Sequence, residues 1–421
     1  MRPGFTGRSI ERVSKVTATT EQSDARAYPR LDIDFNTPEV IADPWAVLET
    51  VRAAGTLVWN ERGYWMTADD RVSRQLLSRP EYFGQDGVMV EFFGADAFIS
   101  IDEKRAHNEL RDVWVGNFSR RAIAALARFV RTVADDMLDT VEAELKAGNR
   151  VEIMAALCRP LPAFVIAHMM GVSDDNIPLV IEWSDRMSEA ATSGFPIDYD
   201  NDPYWLASER AKRDLAAFLI EQFAYRRSNP GDDIISRLVN SEIGERLTEK
   251  AMVANVRQLL FAGNETTAKW LGHILHILGE RPEDRRAIVA DRALLPGAIE
   301  EVMRWQGATQ VIIRAVRQEG LVVEGVELKP GEQIFMLNGA ANRDPARFDN
   351  PDVFDIRREP KPHLGFGFGL HTCLGAILAR MEAQVVTSAV LDRIPDFRIA
   401  GPVKYGDFSL RGPTAVWLER A

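Results

Sequence analysis

The chain has little cysteine, little histidine and no long apolar run. Two cysteines in 421 residues, Cys158 and Cys373, cannot build a disulfide scaffold and fit a reducing compartment. A zinc site would need further Cys or His at short spacing. Cys158 lies far from Cys373, in an apolar segment that reads as core. Positive charge is also short. A net charge of −11 argues against nucleic acid as a partner. The longest charge-free run, residues 362–379, holds four glycines, a proline and two histidines, so it is no membrane span. Residues 1–29 lack the apolar stretch of a signal peptide and are expected to be a flexible arm. Internal repeats and low-complexity linkers are missing too. These absences point to a soluble cytoplasmic protein.

What is present is apolar and mostly helical. Hydrophobic content of 46% is ample for a buried core. The length would suit two or three average domains, but no break divides residues 30–421, which are read as one domain. Most of 105–305 has helical periodicity, with long amphipathic stretches at 121–147 and 202–227. Strand patterns are few. Residues 56–67 alternate around Gly63, and 320–326 with 334–337 flank Lys329-Pro330-Gly331. The fold class is mostly α with small β-sheets. Residues 338–362 form a long Pro/Asp/Arg-rich connection, a length usually tied to function. Residues 193–203 read as an exposed turn between two helices, suited to a lid hinge.

The most informative stretch is His363-Leu-Gly-Phe366-Gly367-Phe-Gly369-Leu-His371-Thr-Cys373-Leu-Gly375. It sets a lone thiol on a glycine-rich loop before an apolar-periodic helix. Gly365, Gly367 and Gly369 have no side chains to keep a flat ligand from the backbone. A sulfur at a helix start faces unpaired N–H groups and the positive end of the dipole, which favour thiolate. Taken alone, a single cysteine is more often core than ligand. A phosphate loop of the G-x-G-x-x-G kind would need glycine at 370 or 372, where Leu370 and Thr372 stand.

A second constellation is Leu259-Leu-Phe-Ala262-Gly263-Asn264-Glu265-Thr266-Thr267-Ala-Lys-Trp270. Gly263 and two threonines weaken a helix by up to about 1 kcal/mol each. One reading is a local opening with an acid beside an alcohol that relays protons. The other is a helix start capped by Asn264 or Thr266. Glu301 and Arg304, three apart, can pair on one helix face, by itself an almost empty signal.

The pattern Phe366-x-x-Gly369-x-His371-x-Cys373-x-Gly375 resembles the haem-binding loop of the cytochrome P450 superfamily. Ala262-Gly263-x-Glu265-Thr266-Thr267 resembles that family's oxygen-activating segment. Glu301, Arg304 and Arg358 match its buried structural network. The resemblance runs from about Pro44 to the C-terminus. It implies a triangular helical prism around buried haem b, with Cys373 as the iron ligand. It implies His107, Arg111, Arg314, His371 and His363 as partners of the haem propionates, with Phe366, Gly367 and Gly375 also at the cofactor. Here the chain departs from its relatives, which usually carry Asp-Pro-Pro before the histidine. This chain has Asp102-Glu-Lys-Arg-Ala-His107, which puts the start of that helix in question. His168, His273 and His276 match no motif and read as packed or surface residues.

The implied activity is a haem-thiolate monooxygenase that inserts one atom of O2 into a small to medium hydrophobic substrate, hydroxylation foremost. Glu265 and Thr266 would manage protons. Pocket walls are expected at 88–98 with Phe92 and Phe93, at 187–195, at Leu259 and Ala262, at 307–313 with Val311 and Ile312, and at 408–410 with Phe408. Electrons would come from an iron–sulfur ferredoxin with a separate NAD(P)H-dependent reductase. Residues 104–131 carry seven cations against Glu109 and Asp112, a candidate docking face. Two alternatives are a haem-binding sensor or carrier and a peroxide-driven oxygenase of the same fold. The acid–alcohol pair counts against both.

Overall fold

In the computed structural model, residues 28–192 and 201–421 are described. Most of the flexible arm expected over 1–29 and most of the expected hinge, 193–200, lie outside them. The frame is a 32-residue central helix, Glu249–Glu280. Thr248 caps it by accepting from the Ala251 N–H, which satisfies one of the orphan donors of the first turn. Leu259, Leu260, Trp270, Leu271, Ile274 and Leu278 bury it among its neighbours. Helices Arg120–Lys146, Pro160–Met169, Leu295–Gln306 and Ala376–Arg393 join it in one apolar core. Gly263 lies against Ile166 of Pro160–Met169; a Cβ there would sit 3.1 Å from the Ile166 side chain. Its role is thus close helix packing, and the helix runs through it unbroken. No helix start stands at Asn264 or Thr266.

A six-stranded sheet closes one side. Its order is Arg30–Leu31, Val58–Asn60, Tyr64–Thr67, Gln333–Met336, Ile312–Val316, Phe83–Gly84. Trp65 and Arg314 both register on Ile334, which sets Arg314 in the sheet interior. The strand expected over 320–326 is instead a tight hairpin. Glu324 and Gly325 take positive φ (49° and 82°), so Leu321–Val323 folds back on Val326–Leu328.

The aperiodic connection 338–362 opens with a helical turn, Asn338–Ala341, runs on through successive turns, and is tied to the fold by arginines. Arg304 donates to the Asn342 and Pro351 carbonyls, Arg343 to Trp305, and Arg347 to Pro362. The Glu301 carboxylate takes Arg304 at 2.7 Å and Arg358 at 3.0 Å, and the Asp355 N–H besides. Glu301 and Arg304 are each only 3% exposed along the side chain, so this is a buried network rather than a solvated pair.

Candidate haem site

The cysteine loop is shaped by its own backbone. Cys373 N–H donates to the Phe366 carbonyl, and Gly367 N–H to Leu364. Gly367 and Gly369 take φ of +70° and +75°, which side chains resist. A Cβ on Gly369 would also sit 2.4 Å from the Leu77 carbonyl oxygen, and one on Gly365 2.5 Å from Met303. These two glycines therefore serve packing within the protein more than ligand approach. The helix beyond begins at Ala376, with Cys373 just ahead of its Gly375 cap. Gly375 N–H donates to the sulfur. Burial pushes the Cys373 thiol up, while that N–H and the Arg111 and Arg380 guanidiniums pull it down.

The sulfur opens on a cavity of about 290 Å³. One face of the central helix also lines it: Leu259, Ala262, Gly263, Thr266, Thr267 and Trp270. That spacing of three and four is the helical repeat. Phe98, Ile99, Ile166, Ala308, Thr309 and Ile312 complete the apolar lining. The Thr266 hydroxyl donates back to the Ala262 carbonyl at 2.8 Å. Glu265 falls off the cavity face. Its carboxylate meets Lys269 at 2.9 Å, and Lys269 also donates to the Leu410 carbonyl. Asn264 donates to Ser184 at 3.0 Å, tying the central helix to Ile177–Thr192. The next residue there, Asp185, is raised to about 6 by burial and by the Glu265 carboxylate.

One end of the cavity is cationic. Arg111 lines it, lowered by burial, and makes no ion pair among the described residues. His371 lines it as well, its ring edge-on to that of His107 at 4.7 Å. Each ring has one nitrogen engaged. His107 Nδ1 meets the Phe98 carbonyl at 2.9 Å, and His371 Nε2 meets Asp102 at 2.8 Å. The other nitrogens, His107 Nε2 and His371 Nδ1, are buried without a partner. Arg314 sits just behind, donating to Gln85 and the Ile313 carbonyl, and burial lowers it to about 10.

The family model described as Cytochrome P450 matches residues 73–395. The chain belongs to the cytochrome P450 family. It is 35% identical over 296 residues to Cytochrome P450 107B1 of Saccharopolyspora erythraea, covering 70% of this chain and 69% of that protein. It is 28% identical over 402 residues to the vitamin D3 dihydroxylase of Streptomyces griseolus, covering 92% and 94%. The crystal structure of CYP109E1 from Bacillus megaterium with testosterone matches at a TM-score of 0.80 and 28% identity, over 91% of this chain and 100% of that one. The fold is the P450 fold, and the chain is an oxidoreductase of the monooxygenase class that uses haem b. No described helix is long and apolar enough to cross a membrane.

The residues of this P450 fit that cofactor. A thiol faces the cavity, and two unpartnered ring nitrogens and an unpaired guanidinium gather at one end. Burying polar groups without partners costs about 1–3 kcal/mol each, so an anionic ligand there is stabilising. Cys373, Phe366, Gly367, Gly375, Arg111 and His371 line the cavity, with His107 and Arg314 behind. His363 does not line it. Its Nε2 is 3.2 Å from Glu300 and its Nδ1 accepts from Gly365 N–H, so it braces the loop from the far side.

The expected substrate walls divide. Leu259, Ala262 and Ile312 line the cavity. Phe92 and Phe93 do not; they pack edge-on against Phe261. Val311 and Phe408 belong to a separate apolar cluster, where Phe408 stacks on Phe35. Apolar side chains beside a cavity fill core as readily as they line it. Phe98 closes the expected wall 88–98, whereas Trp270 and Ile99 were not expected as walls. Trp270 stands four residues after Thr266, on the same face. Phe98 and Ile99 carry no periodic signal.

Asp102 had no sequence signal beyond its place ahead of the helix. Glu103, not proline, caps that helix by accepting from the Arg105 and Ala106 N–H groups. Asp102 is thereby left outside the cap, free to turn inward to His371.

Proposed function

We propose that this P450 hydroxylates a small to medium hydrophobic organic substrate with O2, drawing electrons from a ferredoxin served by a separate NAD(P)H-dependent reductase. The observation that carries this reading is one apolar cavity lined by both Cys373 and Thr266. Haem, when bound, supplies the oxygen activation and transfer. Cys373 would hold its iron, and Arg111, His107, His371 and Arg314 would hold its two carboxylate side chains. Leu259, Ala262, Ile99 and Ile312 would exclude water and orient an apolar substrate. Thr266, whose hydroxyl donates to the Ala262 carbonyl, would accept a hydrogen bond from a water through its lone pairs and would pass a proton on by turning from that carbonyl. Glu265, next to Thr266 in the helix, and Asp185, which feels the Glu265 charge, would be the carboxyl groups that resupply the proton.

The electron donor is read from charge. Arg120, Arg121 and Arg128 are exposed and form no ion pair among the described residues. Arg105 and Arg131, by contrast, are paired within the chain. The helix of Arg120, Arg121 and Arg128, Arg120–Lys146, packs on the one that follows Cys373, an arrangement that suits an acidic partner. The testing experiment is product formed per electron consumed, for wild type and Thr266→Ala, with a ferredoxin system and a substrate found by spin-state screening. Thr266→Ala is expected to keep haem and substrate binding and to lose product by about 10²-fold, the lower end of general-acid effects. Equal coupling in the two proteins would reject the proton-delivery reading.

A further inference from the structure

The Asp102 side chain is wholly buried, and three donors converge on it. They are His371 Nε2 at 2.8 Å, the Gln85 N–H at 2.7 Å and Arg317 Nη2 at 2.7 Å. Burial raises the Asp102 carboxyl, but the His371 and Gln85 hydrogen bonds and the Arg317 charge outweigh it and hold the group below the usual range. A buried ion pair with Arg317 could be no more than a brace between the sheet and the loop. Arg317, however, is partly exposed and has a second carboxylate in Asp86 at 2.6 Å. The bond to His371 has no such substitute.

An imidazole can offer either nitrogen to a ligand. Asp102 takes Nε2 and leaves Nδ1 as the nitrogen without a partner, on a ring that lines the cavity. A carboxylate behind a histidine orients a ring in this way in many sites. We infer that Asp102 is a positioning residue that fixes the His371 ring for the haem carboxylate it binds. This rests on the reading of the cavity as the haem pocket. Asp102 is available for it because Glu103 has taken over the helix cap.

The test uses full-length, haem-loaded protein. Haem release to excess apomyoglobin is timed for wild type, Asp102→Asn, His371→Asn and the double variant, and the iron midpoint potential is read alongside. Asp102→Asn keeps the shape and removes the charge. It is expected to release haem about ten- to a hundred-fold faster, as for a lost charge-assisted hydrogen bond. It should retain the thiolate-type band of the reduced CO complex and move the potential positive. The double variant should release haem no faster than His371→Asn, since both changes break one contact. Unchanged release in Asp102→Asn, or effects that multiply in the double variant, would overturn the inference. Unchanged release in His371→Asn would instead overturn the haem-pocket role of that histidine. Arg317→Gln keeps the His371 bond and removes the brace, so its release should stay within about two-fold of wild type. If Asp102→Asn does not fold, that variant decides: a large rise in Arg317→Gln would assign Asp102 to the brace.

Discussion

Two adjacent glutamates on helix Leu295–Gln306 do opposite jobs. Glu301 faces the connection 338–362, and Glu300 faces the cysteine loop. Burial raises the Glu300 carboxyl, but His363 and a bidentate Arg380 bring it down to about 2. A carboxylate depressed in the folded state adds stability above its unfolded value, near 4.5, and loses it as pH falls toward 2. Glu300→Gln should therefore cost stability, up to roughly 3 kcal/mol before discount for its partial exposure. Unfolding by urea would give a wild-type-to-variant gap that is constant above about pH 5 and shrinks below it. A gap independent of pH would show that Glu300 acts by shape alone. Sequence pattern marked Glu301 and passed over Glu300, because a motif records spacing and not the side on which a neighbour lands.

At the scale of elements, the central helix and the cysteine loop were readable, and the links between elements were not. Helical periodicity covered 105–305 and marked the apolar segment 259–270 with its polar interruption, since a 3.6-residue repeat is a local property; the bounds Glu249–Glu280 came from the fold. What Gly263 packs against, Ile166, lies nearly a hundred residues away. The connection 338–362 gave no periodic signal because it is one helical turn, Asn338–Ala341, followed by successive turns, with arginine side chains tying several of its carbonyls to the rest of the fold. Removing the carboxylate at their centre should be severe. Glu301→Gln leaves two guanidiniums partly or wholly buried with no countercharge, a change worth about 3–5 kcal/mol. Chemical unfolding should show the loss, with faster haem release as 338–362 loosens from helix Leu295–Gln306. A variant as stable as wild type would show that the Glu301 charge adds nothing to holding 338–362.

For the molecule as a whole, charge distribution matters more than net charge. The chain is acidic at −11, yet Arg120, Arg121 and Arg128 form an unpaired cationic stretch. Exposed charges are screened over roughly 10 Å at 0.1 M salt. Reduction of the haem protein by an acidic ferredoxin should slow as salt rises, and the charge reversals Arg120→Glu and Arg121→Glu should weaken it about ten-fold at low salt. Substrate-induced spin change should stay as in wild type. Rates that ignore both salt and reversal would move the docking face elsewhere.

The sequence by itself determined the helical fold class, the family, the cysteine loop and the polar segment of the central helix. Each is written in local spacing, where few residues fix backbone and chemistry together. Only the tertiary structure decided which of those residues face one another. It turned Glu265 from the cavity to Lys269, set His363 on Glu300, sent Phe92, Phe93, Val311 and Phe408 into core, and brought Asp102 to His371. The reason is physical. Hydrophobic burial is non-directional, so an apolar residue does not say what it will pack on. A buried polar group, in turn, takes whichever partner the fold brings within 3 Å or so.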